Sequence, residues 1–203
     1  AAAGARGADV GTTSFVFLGM PNDAETVGVG YASAARIDSA AAGFLNPAGL
    51  GFVDAMKISF SHTEWIAGIR NEQFNMAFPV GPGSIGATAN FLYSDGFEDV
   101  AAGLATGSPA LFSDLLLSAG YGVSLIRRPR VSVSGGLNAV WARESVAGVG
   151  DSIFAVGVGS QARIRIGDTP KWAPKIAGSS ATWRDLLVGI SMKNIGSKAR
   201  IGT

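Results

Sequence analysis

One histidine, His62, stands in the stretch Ser61-His62-Thr63-Glu64-Trp65. A histidine between hydroxyls and beside a carboxylate is what proton transfer, nucleophile activation or zinc ligation would use. Any triad or zinc centre built within these 203 residues would have to use His62. There is no cysteine, which removes thiol chemistry and a disulfide framework. The aspartates and glutamates read as scattered, with no pair set for acid–base work or metal ligation. A histidine at a strand end beside a tryptophan is more often an interfacial structural residue than a catalyst. The reading is a protein that is not an enzyme, with no cofactor and no metal.

Two glycine motifs could suggest a dinucleotide site. Gly81-Pro82-Gly83-Ser84-Ile85-Gly86 fits G-x-G-x-x-G letter for letter, and Gly157-Val158-Gly159-Ser160-Gln161-Ala162 fits its variant. That chemistry needs a helix N-terminus directly after the glycines to hold the pyrophosphate. An alternating strand follows the first motif, with Pro82 in the turn, so it reads as a hairpin. The second lies inside a strand.

The elements behind these residues have a period of two. Met56, Ile58 and Phe60 alternate with Lys57, Ser59 and Ser61, and Phe74, Met76, Phe78 and Val80 alternate with Asn75, Ala77 and Pro79. The same alternation runs through 85–93, 113–126, 130–143, 151–166 and 186–192. Strict alternation means strands with two unlike faces, about seven of them. Several reach or exceed the roughly 9–11 residues with which a barrel strand crosses a bilayer. The second face is Gly, Ser, Asn and Gln, hardly charged, whereas a sandwich would charge its solvent face. The fold class read from this is all-β, an antiparallel transmembrane β-barrel with lipid outside and a polar or plugged lumen.

Composition agrees. Charged residues are 15% of the chain and hydrophobic ones 47%, against about 25% charged in ordinary domains. A net charge of +1 gives no reason to expect nucleic acid. No run approaches the roughly 18 apolar residues of a spanning helix. The links 81–83 and 127–130 read as short, and 65–71, 95–112 and 144–150 as long, an alternation of inner turns and outer loops. Segment 167–183, with Pro170 and Pro174, reads as an insertion on the short-turn side. Trp65, Tyr93, Trp141 and Trp183 read as strand-end aromatics of the lipid–water boundary.

Residues 1–14 are a small-residue leader, either the remainder beside a cleaved signal peptide or an arbitrary start. Residues 15–55 read as a hatch, and 56–203 as the barrel strands. Within the hatch, Gly43-Phe-Leu-Asn46-Pro47-Ala48-Gly49-Leu-Gly-Phe52 is apolar yet turns at Asn46-Pro47. Its small residues allow close backbone approach to a glycine-rich inner wall. Two roles fit: a plug whose turn, Asn46, Pro47, Ala48 and Gly49, gates the lumen, or an ordered segment that helps the wall fold.

The stretches "FLNPAGLGF", "ISFSHTEWIAGIRNEQF", "AFPVGPGSIG" and "ISMKNIGSK" resemble the PorV/PorQ family of bacterial outer-membrane proteins, similar in fold to FadL-type fatty-acid transporters. The block Ser61, His62, Thr63, Glu64, Trp65 carries most of the likeness. The resemblance implies a bacterial outer-membrane location, a FadL-like barrel with an N-terminal hatch, and lipid as surroundings. It implies one of two roles: passage of a fatty acid or other hydrophobic small molecule, or docking with proteins of a type IX secretion system. A soluble β-sandwich binding module is the weaker alternative. Family barrels have roughly twice as many strands, so this chain is expected to cover about half the wall, continuing past residue 203. Its first and last strands are then expected not to pair with each other.

Overall fold

A computed structural model describes residues 15–20, 23–35, 39–65, 68–94, 97–101, 104–110, 112–146, 149–167 and 185–196, with 97–110 described through the backbone alone. Among them are nine strands. They are β1 Lys57–Glu64, β2 Ile69–Val80, β3 Gly83–Ser94, β4 Phe97–Ala101, β5 Leu104–Ala110, β6 Phe112–Arg127, β7 Val131–Val146, β8 Val149–Arg165 and β9 Asp185–Gly196. Two short helices precede them, α1 Ala24–Gly28 and α2 Ala42–Leu45, with 3-10 turns at Val16–Gly19 and Pro47–Phe52. No described helix is long and apolar enough to cross a membrane, which does not bear on strands.

Seven strands form one antiparallel sheet in the order β1-β2-β3-β6-β7-β8-β9, and β4 and β5 form a separate ribbon between β3 and β6. All seven alternating segments of the sequence are strands of the main sheet. As expected, β1 and β9 are not paired with each other; each is an edge among the described residues.

Below, the end of the sheet at link 65–68 is the upper end, and that at turns 81–82 and 128–130 the lower. Two links expected to be long are short. β7 and β8 are separated only by 147–148, since Arg143↔Ser152, Glu144↔Asp151 and Val146↔Val149 continue the ladder. β2 begins at Ile69, opposite Ser94 of β3. Backbone pairing needs no apolar side chain, so strands run on where the hydrophobic alternation stops. Link 95–112 holds the β4–β5 ribbon. From residue 168 the expected insertion, with Trp183, lies outside the described residues. Trp141 sits within β7 instead of at its end, while Trp65 and Tyr93 lie at the upper end.

The two faces invert the usual order. Phe60, Leu137, Phe154 and Ile190 on one face are 66–74% exposed. On the other, Asn75, Ser134, Gln161 and Asn71 are buried, because the described parts of 15–53 pack across it. At the upper end Phe15, Phe17, Leu18, Phe44 and Leu45 meet Leu92, Leu116, Val140, Ala142 and Ile153 in one apolar cluster. Each such Phe or Leu contributes about 1.5–3 kcal/mol by burial.

Candidate functional site

Lower on the inner face the segment is held by backbone. Asn46 is extended (φ −153°, ψ 105°), as a residue before proline must be. Its Oδ1 accepts from Ala48 N–H at 3.1 Å and so caps the 3-10 turn, in which Pro47 takes the first position, where no N–H is needed. Asn46 Nδ2 donates to Ala34 O at 2.6 Å and lies 3.5 and 3.4 Å from the carbonyls of Ser160 on β8 and Ile190 on β9. The wall answers with side chains. Ser134 Oγ donates to Ala48 O (2.7 Å), Asn138 Nδ2 to Gly43 O (2.8 Å), Ser84 Oγ to Val53 O (3.1 Å) and Gln161 Nε2 to Ala34 O (2.7 Å). Thus Asn46, Pro47, Ala48 and Gly49 are all buried at the wall.

The wall beneath them is glycine in register. Ser84, Gly122, Gly136, Gly159 and Ser191 form one cross-strand row over β3, β6, β7, β8 and β9. Gly86, Gly120, Asn138 and Gly157 form the next. A Cβ at Gly122 or Gly136 would overlap the Pro47 carbonyl, and one at Gly159 would overlap Asn46 Oδ1. At Gly86 it would stand 2.8 Å from Leu50 Cδ2. The rows act as a groove cut for the turn.

The strand-end block is divided by its own alternation. His62 and Glu64 face outward, paired with Glu72 (2.7 Å) and Arg70 (3.3 Å) across β1–β2, and are exposed. Ser61 and Thr63 fall on the opposite face. Trp65 N–H donates to Ile69 O and closes the link. The block is a strand end with a charged outer rim.

Charge gathers at the two ends of the inner face, which corrects the reading of scattered carboxylates. Asp114, Glu144 and Asp151 are register partners on β6, β7 and β8 at the upper end. At the lower end Arg127, Arg128, Arg163 and Arg165 line a cavity of about 400 Å³ with Phe52, Asp54 and Ser132. Arg127 Nη2 donates to Gly51 O (3.4 Å), Arg163 lies 5.6 Å over the Phe52 ring, and Arg165 is 3.6 Å from Asp185. Among the described residues no group of His, Asp or Glu is placed to hold a metal ion.

No family model, curated protein or solved structure matches this chain.

The signal for both rows lay in the polar positions of each strand, but aligning them requires the register. Link 95–111 hides that register between β3 and β6.

Proposed function

We propose that this chain is wall and hatch of a bacterial outer-membrane β-barrel of the PorV/PorQ kind, passing hydrophobic or amphipathic small molecules. One observation carries the reading: the sheet exposes Phe, Leu, Val and Ile on one face and buries Asn, Ser and Gly on the other. Such a sheet suits hydrocarbon outside and a polar lumen inside. β2, β3, β6, β7, β8 and β9, of 12–17 residues, exceed the roughly 9–11 a crossing needs. The edges of β1 and β9 need further strands in lipid, from this protein or from another.

Because the sequence has no cysteine, single-cysteine spin labels report cleanly. In phosphatidylcholine bilayers, labels at Leu137, Phe154 and Val156 should be reached by oxygen and not by a water-soluble nickel complex. A nickel-accessible outer face would favour the sandwich. In the same vesicles, uptake of a labelled long-chain fatty acid or alcohol above that of protein-free vesicles is expected; uptake equal to the blank would remove the transport role.

A further inference from the structure

The upper end of the inner face holds a cavity of about 260 Å³ beside the start of the hatch. Phe17, Trp65, Ile69 and Leu92 are among its apolar lining, and among the described residues Asp114 and Glu144 are its charged groups, with no basic side chain. Asp114 is only 4% exposed, and its Oδ1 accepts no hydrogen bond among the described residues. Glu144, its cross-strand partner, accepts from the Phe15 N–H at 2.5 Å. Asp151 follows in the same row. Like charges facing each other on one sheet face are unfavourable, and so is a buried carboxylate oxygen without a donor. A cation placed between them relieves both, and aromatic lining favours a cation as well as an apolar tail.

We infer that this cavity binds small organic amines: an ammonium head between Asp114 and Glu144, and a short apolar tail against Phe17, Trp65 and Leu92. The volume lies just under the roughly 300–1,000 Å³ of drug-sized sites, so the tail is short. The same two carboxylates disfavour a fatty-acid headgroup at this end. The inference deepens the proposed function by naming a ligand class, yet binding in detergent reads the cavity whether or not anything crosses a membrane.

The test is calorimetric titration of the purified full chain in maltoside micelles with hexylamine, hexanol and hexanoate, each against a micelle blank. Hexylamine should bind at least about tenfold more tightly than hexanol, the scale of one charge-assisted hydrogen bond, and hexanoate should give no heat above the blank. Asp114→Asn and Glu144→Gln should each weaken hexylamine about tenfold. Glu144→Gln keeps an acceptor for the Phe15 N–H, so it decides the matter even where Asp114→Asn fails to fold. Hexanol binding as tightly as hexylamine, or a Glu144→Gln protein that binds hexylamine like the parent, overturns the inference.

Discussion

The centre and the two ends of the inner face hold the same segment by different physics. At the centre the contact is backbone on backbone, with glycine rows below and the Asn46–Gly49 turn above. At the ends charged side chains join the contact: Glu144 receives the Phe15 N–H beside the upper apolar cluster, and Arg127 reaches Gly51 O below. Close packing has no slack, since an added methyl has nowhere to go. A charged side chain at a partly open end can swing away and be replaced by water or salt. The centre should therefore fix where the segment sits, and the ends should set how readily it loosens.

The harshest way to break this contrast is Gly136→Val. Its Cβ would overlap the Pro47 backbone, which is not the yielding tip of a side chain. The whole turn must move, at about 3 kcal/mol, the upper end for overpacking. Urea unfolding in micelles should show the loss, and a spin label on Leu50 should become mobile. A label that stays immobile with unchanged stability would mean the turn is not seated in the glycine groove.

Asn46→Ala comes next. It removes the cap on Ala48 N–H and the donor to Ala34 O. Ala34 O keeps Gln161 Nε2, so one carbonyl is not orphaned and the expected loss is about 2 kcal/mol. A loss above that of Gly136→Val would make Asn46, and not the glycine rows, the principal anchor.

How much of this contrast was legible in the sequence differs by region. The strands were legible because alternation survives for ten or more residues, as in Val131 to Trp141, and each face follows from parity alone. The turn was legible because Asn46-Pro47 excludes helix at one residue. The rows were not, because Gly122, Gly136 and Gly159 lie far apart in sequence and meet only through register. Helices α1 and α2, at five and four residues, are too short to show a period; α1 starts at the Asp23 cap and α2 is buried whole against the sheet. Glu144 reads as a loop residue because the apolar pattern stops near it, while the ladder does not.

Arg127→Ala sharpens the comparison from the lower end. Its bond to Gly51 O is long, at 3.4 Å, and the side chain is exposed. The expected loss is about 0.5 kcal/mol, smaller in high salt because the group is screened. Gly136→Val should show no such salt dependence. Equal salt dependence for the two variants would dissolve the distinction between a steric centre and electrostatic ends.

The smallest effect belongs to His62→Ala, which touches neither region. His62 Nδ1 lies 2.7 Å from Glu72 Oε1 on the outward face of β1, about half exposed. An exposed pair of this kind lies at the low end of roughly 0–1 kcal/mol, and the inner face does not depend on it. Unfolding midpoints should shift by less than those of Asn46→Ala, and fatty-acid or amine binding should stay within a few-fold of the parent. The sequence offers His62 as its one histidine, so the substitution also tests for catalysis. A general acid or base is worth about 10²–10⁴-fold, so any turnover found with a candidate substrate should survive His62→Ala. A loss on the hundredfold scale would move the chemistry to the outer rim of β1 and leave the segment on the inner face as scaffold.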